Sequence, residues 1–452
     1  MDETDFSGRG ERRRLKAAGV LIFIYVCVSI LHLRPWGQQV VWGLLLLLGI
    51  HSVWLLLAPK LTLPTTEPTT EPATAEPAEL PFISLLVAAK NEEAVIANLV
   101  KGLCQLNYQI DRWELWVIDD HSSDRTPEIL EKLKLKYPQL KTLRRGADAK
   151  GGKSGALNQV LAMTQGEIIG VFDADAQVSE DLLQVIVPMF QRPKIGAIQL
   201  RKSIANAATN FWTKGQSTEM ALDLWFQDRR IRVGGIGELR GNGQFVRRAA
   251  LLSCGGWNEE TITDDLDLTL RLHLNNWDIG CLAHPAVQEE GVVTWKQLWH
   301  QRNRWAEGGY QRYLDYWPLI VRNRMNRSKT IDLYMFLFIQ FIVPTATVPD
   351  LLWSIVLEHP PLLSPLVGLT MVLSIIGMAF GSSRYNRASL QSVVAQTLRC
   401  SLYMIHWVPV IASVTFRMSI RPKQLKWVKT IHQGIGDSLL SDDEMEMIEQ
   451  EP

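Results

Sequence analysis

Five long apolar stretches divide this chain, and they constrain its fold more than any other feature. Two lie near the N-terminus, at about residues 17–33 and 40–57, and three lie further on, at about 331–357, 362–380 and 393–416. Each has about the length, roughly 20 residues, that an α-helix needs to cross the hydrocarbon core of a bilayer. The sequence therefore predicts an integral, multi-pass membrane protein with a soluble block between two groups of helices.

The basic cluster at residues 9–16 predicts on which side of the membrane the soluble block lies. Because cytoplasmic segments carry an excess of Lys and Arg, this cluster keeps the N-terminus in the cytosol, and two spans return the chain there. A signal peptide is an alternative for the first stretch, but no small-residue cleavage site follows it. We therefore expect the soluble block on the cytosolic side.

The C-terminal tail introduces a conflict in this topology. The tail from residue 419 begins with a basic segment and is also expected in the cytosol, whereas five full spans would place it on the other side. Two solutions remain open: one apolar stretch is re-entrant or interfacial, or the third is split near Pro344 and Pro349.

Charge and cysteine content exclude two classes of function. Lys plus Arg and Asp plus Glu each number 47, so the formal net charge is zero and nothing global favours nucleic acid. The five cysteines are scattered and form no CxxC pair, which is atypical of a structural zinc site. Unpaired thiols suit a soluble block that faces the cytosol.

Composition divides the chain into six segments. The linker is rich in Pro, Thr and Glu and should be extended and solvated. The segment after the α/β domain mixes Trp and Tyr with Arg, which is typical of a helix at a membrane surface, although an amphipathic helix packed on a soluble core is an alternative. The segments are 1–60 (basic, with two transmembrane helices), 61–79 (linker), 80–290 (α/β domain), 291–330 (amphipathic interfacial segment), 331–418 (C-terminal transmembrane region) and 419–452 (cytosolic tail).

Strand-like and helix-like segments alternate through most of the α/β domain. Buried strands are expected at 82–88, 113–119, 167–173 and 195–200, with a further strand at 140–144. This alternation predicts an α/β fold with a mostly parallel sheet flanked by helices. Ligands of such sheets bind beyond the C-terminal ends of the strands, so the polar residues found there are candidate ligands.

Two early motifs suit a nucleotide. Asp119 and Asp120 follow a strand and can accept hydrogen bonds from a base or ribose, but Asp is also a standard choice for a helix cap or turn. The segment KGGKSGALN, at 150–158, combines glycines that allow close approach with a lysine at a helix start, as a diphosphate requires. It lacks the spacing of a P-loop, and a tight loop with a solvated lysine is an equal alternative.

Two acidic motifs are candidates for a metal-binding site and for a general base. Asp173 and Asp175 follow a strand, where one carboxylate can hold Mg²⁺ or Mn²⁺ and the other a ribose; a merely polar strand end is the alternative. Thr263, Asp264 and Asp265 open a helix, either as ordinary first-turn acidic residues or with a general base among them.

A fifth motif, QRNRW at 301–305, lies in the Trp-rich segment. Its second arginine can stabilise a departing diphosphate and its tryptophan can stack on a sugar. Contact with lipid headgroups and anchoring at the membrane surface are the alternative roles.

The order of these motifs resembles glycosyltransferase family 2, in its membrane-integrated branch. VAAKNEE, DDHSSD, KGGKSGALN, DADA, GNGQFVRR, TDD and QRNRW follow one another across about 220 residues. The resemblance covers roughly residues 80–310 and implies the GT-A fold of that family, a nucleotide-sugar transferase domain inserted between transmembrane helices.

The resemblance also implies a role for each matching position. Asp265 is implied as the general base, Asp175 as the metal ligand, and Arg304 and Trp305 as contacts to the diphosphate and the acceptor. Asp264 stands where many members have Glu, which leaves the catalytic position unchanged. Contacts to the nucleotide-sugar are implied for Ala88, Asn91, Glu92, Asp120, Lys153, Asp173 and Gln301.

The layout is similar to that of family members that make glucolipids. It implies an inverting, Mg²⁺-dependent enzyme (Mn²⁺ being possible) that transfers glucose from UDP-glucose to 1,2-diacylglycerol among membrane lipids. A processive synthase of cellulose or hyaluronan type is the alternative, disfavoured because the apolar stretches are fewer than in a typical cellulose synthase. The intact carboxylates argue against a non-catalytic scaffold, and the scarcity of charge in the apolar stretches argues against a transporter.

Overall fold

The computed structural model describes residue 6 and residues 10–59, 80–386 and 388–421. The linker expected at 61–79 and nearly all of the expected tail lie outside the described residues. In the described part, five helical segments are long and apolar enough to cross a membrane, and this fits association with a membrane.

Two of these segments precede the α/β domain and three follow it. The third segment passes through a π-helical turn, Phe338–Ile342, which ends two residues before Pro344, and the fifth is interrupted at Ile405 and His406. The helices are α1 (Arg13–Leu33) and α2 (Gly37–Leu56) before the domain, and α11 (Arg327–Leu337), α12 (Val343–Val356), α13 (Ser364–Tyr385), α14 (Leu390–Met404) and α15 (Trp407–Ile420) after it.

Seven strands form one sheet in the order β3-β2-β1-β4-β6-β5-β7. All neighbouring pairs are parallel except those of β6, which runs antiparallel to β4 and to β5. The mostly parallel sheet flanked by helices is therefore confirmed. The strands are β1 (Ile83–Ala89), β2 (Trp113–Asp119), β3 (Leu140–Arg144), β4 (Ile168–Phe172), β5 (Ile195–Ile204), β6 (Gln244–Arg247) and β7 (Asp278–Glu289).

Helices cover both faces of the sheet. Alternate strand residues point to opposite sides, and both sides of the central strands carry apolar residues that must be buried. On β1, Leu85 and Val87 join the apolar cluster of α3, α4 and α6, whereas Leu86 joins that of α5, α8 and α9. The helices of the domain are α3 (Ile96–Cys104), α4 (Thr126–Lys136), α5 (Gly152–Leu161), α6 (Leu182–Ile186), α7 (Phe211–Arg232), α8 (Arg248–Ser253) and α9 (Asp264–Leu274), and α10 (Trp295–Val321) follows them.

The direction of β6 determines where the strand ends meet. Because β6 is antiparallel to both neighbours, β5 and β7 run in the same direction as β1 and β4. The C-terminal ends of these strands therefore lie at one edge of the sheet. That edge carries Asp173 after β4, Lys202 near the end of β5, and Glu289 at the end of β7.

Helix α10 joins this edge to the apolar helices. It packs against α9, α1 and α15, and its central part, where Arg302 and Tyr310 lie, is buried. A Cβ atom on Gly308 would lie 2.1 Å from Oγ1 of Thr263, so only glycine permits this approach to α9. The close packing places the QRNRW motif beside the first turn of α9.

Candidate active site

A cleft of about 620 Å³ opens at the C-terminal edge of the sheet. Its walls come from the strand ends, from α5, α7, α9 and α10, and from the C-terminal apolar helices. Nine of the residues predicted from the sequence line it: Ala88, Glu92, Lys153, Asp173, Asp175, Asp265, Gln301, Arg304 and Trp305. Asn91 and Asp120 are the two predicted residues that are not part of this lining.

An ion pair lies across the floor of the cleft. Nζ of Lys153, in the first turn of α5, is 2.6 Å from Oδ1 of Asp173, directly after β4. Burial alone would raise the pKa of Asp173, but the positive charges of Lys153, Lys202 and Arg304 outweigh it and hold that pKa below its ordinary value. The floor therefore carries an ionised carboxylate among several cations.

The loop before α5 requires glycine for this geometry. Gly151 has φ of +83°, in the left-handed region. A Cβ atom there would lie 2.3 Å from Oε2 of Glu259. The backbone of this loop and the start of α5 can thus approach a ligand closely, and a helix N-terminus favours an anion.

Asp175 contacts the residue that follows β7, the strand at one edge of the sheet. Its Oδ2 accepts a hydrogen bond of 2.8 Å from the backbone N–H of Glu290, just beyond β7. Among the described residues, no three His, Cys, Asp or Glu side chains are grouped to hold a metal ion by themselves. Mg²⁺ is usually held by one or two carboxylates together with substrate phosphates, so a carboxylate on a cleft wall fits an ion that arrives with a diphosphate.

Two carboxylates begin α9. The N-cap residue is Thr263, which makes no capping side-chain hydrogen bond, and Asp264 and Asp265 are the first two helical residues. Burial, and then the negative charge of Asp264, raise the pKa of Asp265 to about 6, against the opposing effects of the Leu266 backbone N–H, Lys153 and Lys202. Such a pKa suits a general base near neutral pH.

Asp120 is connected to the loop before α5 through Arg145, an arginine that was not predicted from the sequence. Its carboxylate is 2.6 Å from Nη1 of Arg145 and 3.8 Å from Nζ of Lys90. Arg145 donates further hydrogen bonds to the backbone carbonyls of Lys150 and Gly152. Asp120 and Arg145 therefore fix the loop that lines the cleft.

Asn91 supports the neighbouring loop. It has φ of +55°, and its Oδ1 accepts a hydrogen bond of 2.7 Å from the backbone N–H of Ser123. Its own backbone N–H donates to Oγ of Ser122 at 2.8 Å. These contacts connect the loops after β1 and β2. Contacts of Asn91 and Asp120 with a nucleotide remain predictions.

The QRNRW motif contains a buried arginine with a packing role. Arg302 is fully buried, and its Nη2 lies 2.6 Å from Oε2 of Glu219 and 3.0 Å from Oη of Tyr403. Its guanidinium lies 4.0 Å from the ring centroid of Trp305. Lys202 lies 5.2 Å from the same ring. Trp305 is therefore held in place by its neighbours.

The cleft continues between the C-terminal apolar helices. This end is lined mainly by apolar side chains, and the described lining residues from α11 to α15 include few polar groups and no lysine or arginine. They are Phe336, Ile339, Gln340, Pro344, Ser374, Met404, Trp407, Val408 and Ile411. One continuous cavity thus joins a charged end, at the strand ends, to an apolar end.

Comparison with known proteins assigns the family. A family model described as "Glycosyltransferase like family 2" matches residues 81–308. A β-monoglucosyldiacylglycerol synthase of Trichormus variabilis is 57% identical over 436 residues, which cover 95% of this chain and 91% of the relative. The chain belongs to glycosyltransferase family 2. A β-monoglucosyldiacylglycerol synthase of Synechocystis sp. is 53% identical, with 96% of this chain and 92% of the relative covered.

A solved structure shares the fold of this family 2 transferase. It is described as the mannosyltransferase PcManGT from Pyrobaculum calidifontis in complex with GDP-Man and Mn²⁺. The TM-score is 0.53 at 16% sequence identity, with 88% of this chain and 98% of the other covered. The likeness extends over most of the chain and supports the GT-A type of fold expected from the motifs.

Proposed function

We propose that this family 2 transferase moves glucose from UDP-glucose to the hydroxyl of 1,2-diacylglycerol and forms β-monoglucosyldiacylglycerol. One observation carries the proposal: the cavity that contains Lys153, Asp173 and Asp265 continues between apolar helices. A polar donor and a lipid acceptor can therefore meet in one place. The two relatives named for this product, which align over more than nine-tenths of their length, support it.

The charged end of the cleft binds the donor. Lys153 and the N-terminus of α5 hold the diphosphate, and Asp173 contacts the nucleotide. Asp120, through Arg145, keeps the loop before α5 in the shape this requires. Asp175 would hold a Mg²⁺ or Mn²⁺ ion, which would neutralise negative charge on the diphosphate.

Asp265 is the general base of the transfer. Its carboxylate accepts the proton of the acceptor hydroxyl as the hydroxyl oxygen bonds to the anomeric carbon of glucose, and the bond from that carbon to UDP breaks. Attack from the face opposite UDP inverts the α-linked donor to a β-linked product. Arg304 and Lys202 stabilise the negative charge on the departing diphosphate.

Trp305 lines the meeting point of sugar and acceptor. An indole ring packs well against the apolar face of a sugar, and the contact between Arg302 and Trp305 fixes the ring before the substrates arrive. Positioning of this kind raises the rate because the reactants lose less freedom on reaching the transition state.

The apolar segments and the basic N-terminal cluster support a membrane location for the enzyme. The five long apolar segments support a multi-pass membrane protein, and the basic N-terminal segment favours a catalytic domain on the cytosolic side, where nucleotide-sugars are found. The acceptor then comes from the bilayer and the donor from water.

One assay tests this function. The purified protein in lipid nanodiscs is given UDP-[¹⁴C]glucose and diacylglycerol, with Asp265→Asn as the inactive control. We expect one chloroform-soluble glucolipid, with a β linkage by NMR, from the unaltered protein only. Label in high-mass, glycanase-sensitive material would instead support a processive synthase, and no transfer to any acceptor would overturn the proposal.

A further inference from the structure

We propose that the ion pair of Arg240 and Asp223 recognises the 4-hydroxyl group of the donor glucose. This inference rests on the function proposed above and assigns two residues to the choice of sugar. Arg240 directly precedes the segment GNGQFVRR, and Asp223 lies in α7. Both line the cleft, and neither belongs to the donor and acceptor contacts proposed above.

The ion pair is bidentate and accessible from the cleft. Nε of Arg240 donates a hydrogen bond of 3.1 Å to Oδ2 of Asp223, and Nη2 donates one of 2.5 Å to Oδ1. The side chain of Arg240 is 21% exposed and that of Asp223 is 36% exposed. Since both residues line the cavity, a ligand in the cleft can reach them.

Both partners keep hydrogen-bonding capacity for a ligand. Nη1 of Arg240 donates no hydrogen bond within the described residues and is not fully buried. Each carboxylate oxygen of Asp223 accepts one hydrogen bond from Arg240 and can accept another. A hydroxyl group can therefore donate to Asp223 while its oxygen accepts from Nη1 of Arg240, and both bonds are strengthened by charge.

A buried carboxylate fixes the guanidinium group of Arg240. Glu238 is fully buried, and its Oε2 lies 2.8 Å from Nη2 of Arg240. The same carboxylate lies 2.8 Å from Arg312 and 3.5 Å from Arg230. Arg240 is therefore held in position before a donor binds, and it keeps an anionic partner when Asp223 is replaced.

Arg240 lies beside the proposed base. A Cβ atom on Gly241, the next residue, would lie 3.3 Å from Oδ2 of Asp265. Burial alone would lower the pKa of Arg240, but the charges of Asp223, Glu238 and Asp265 outweigh it and raise that pKa. The guanidinium group thus lies within electrostatic reach of the base, next to which the anomeric carbon must lie during transfer.

The proposed diphosphate contact lies on the same segment. Nζ of Lys202 donates a hydrogen bond of 3.4 Å to the backbone carbonyl of Arg240. The segment 240–241 therefore contacts both Lys202 and Asp265, and a sugar between the diphosphate and the base lies against it. With C1 beside Asp265, the hydroxyl group on C4 lies across the pyranose ring, away from the base. Galactose differs from glucose only in the direction of this hydroxyl group, so the ion pair would select glucose.

The test compares two donors that differ in one hydroxyl group, UDP-glucose and UDP-4-deoxyglucose, with diacylglycerol as acceptor. For the unaltered protein in nanodiscs we expect kcat/KM to be about 10- to 150-fold higher with UDP-glucose, the range for loss of a hydrogen bond to a charged group. In Asp223→Ala, kcat/KM for UDP-glucose should fall toward the value for the deoxy donor, whose own value should stay nearly unchanged. Arg240→Gln should behave in the same way and provides a second variant should Asp223→Ala fold poorly.

Asp228→Ala is the matched control. Asp228 also lies in α7 and pairs with an arginine, Arg232, at 2.8 Å, but it is not part of the cleft lining. This variant should keep the preference of the unaltered protein. UDP-3-deoxyglucose controls for the position on the ring, since its disadvantage relative to UDP-glucose should persist in Asp223→Ala.

The outcomes separate the two proposals. If the unaltered protein uses UDP-glucose and UDP-4-deoxyglucose equally, or if both variants keep its preference, the assignment of Arg240 and Asp223 is wrong while the proposed function stands. Equal slowing of both donors in the variants would show a structural role alone, and loss of the preference against the 3-deoxy donor instead would place the contact at another hydroxyl group; either result overturns the assignment. If the unaltered protein transfers glucose from UDP-glucose to no lipid, the proposed function itself fails.

Discussion

Nζ of Lys153 lies 2.6 Å from Oδ1 of Asp173, and this contact joins the first turn of α5 to the end of β4. Burial alone would lower the pKa of Lys153, but the carboxylates of Asp173, Asp264 and Asp265 outweigh it and raise that pKa above its ordinary value. Lys153 therefore stays protonated at physiological pH, as a ligand for diphosphate must.

Replacement of Lys153 should weaken donor binding. In Lys153→Met we expect the KM for UDP-glucose to rise by about 10- to 150-fold, the range for loss of a hydrogen bond to a charged group. Initial rates at varied donor concentration measure it. Lys134→Gln, on the surface beside Glu131, should leave the KM unchanged. An unaltered KM in Lys153→Met would show that the diphosphate binds elsewhere.

Replacement of Asp265 should stop transfer without removing the donor. Asp265→Asn keeps the size of the side chain but cannot accept the acceptor proton, so kcat should fall by about 10²- to 10⁴-fold. Calorimetric titration with UDP should give an affinity close to that of the unaltered protein. Retained turnover would exclude Asp265 as the base, and lost UDP affinity would assign it a role in binding instead.

The neighbour of the base should set the pH dependence. Because burial and the charge of Asp264 raise the pKa of Asp265 to about 6, kcat/KM should decline as the pH falls through about 6 and the base becomes protonated. Asp264→Asn removes the repelling charge, so ionisation becomes easier and the decline should move to lower pH. A profile that does not move, or moves to higher pH, contradicts this arrangement.

The contact between α9 and α10 should not tolerate a methyl group. In Gly308→Ala the new Cβ atom would lie 2.1 Å from Oγ1 of Thr263, so the helices must separate, at a cost of about 1–3 kcal/mol in stability. We expect a lower melting temperature in detergent and a lower kcat, because Asp265 and Arg304 lie on either side of this contact.

The control for that substitution is Gly102→Ala in α3. A Cβ atom there meets nothing within 4 Å, and alanine favours a helix by about 1 kcal/mol over glycine. Its melting temperature should stay equal or rise. Equal melting temperatures and rates for Gly308→Ala and the unaltered protein would show that the two helices are not held at this distance.

The sequence predicted five of the strands, β1 to β5. Three of them, β1, β2 and β4, consist mainly of apolar residues and are buried at nearly every position, as parallel strands covered on both faces require. β6 was missed because it has only four residues and contains the buried polar Gln244. β7 was missed because buried and partly exposed positions follow no simple period. α7, with charged residues throughout, also lacks a clear apolar pattern.

Motif residues were predictable where they follow strand ends or begin helices. Lys153, Asp173, Asp175 and Asp265 all occupy such positions, and the structure brings them to one cleft. Their catalytic roles remain predictions. Glu219 could not be found in this way, because its partner Tyr403 lies 184 residues away and no local pattern connects them.

For Asp120 the predicted location is correct, but its observed contact, with Arg145, was not predicted. The sequence predicts its location after β2, and the structure has it there, next to the cleft. Its partner Arg145, 25 residues further on, lies just beyond β3 and has no distinguishing neighbours in the sequence. Pairing of parallel strands brings the two together, and this long-range contact is not visible in the local pattern.

A cavity with one polar and one apolar end has a consequence for turnover under the proposed function. UDP departs toward water and the glucolipid departs sideways into the bilayer, so neither product obstructs the route of the other. The concentration that governs acceptor supply is then the mole fraction of diacylglycerol in the surrounding lipid, rather than its amount per volume of solution. Diluting the acceptor with inert phospholipid should slow the enzyme, whereas adding more vesicles of fixed composition should not accelerate it.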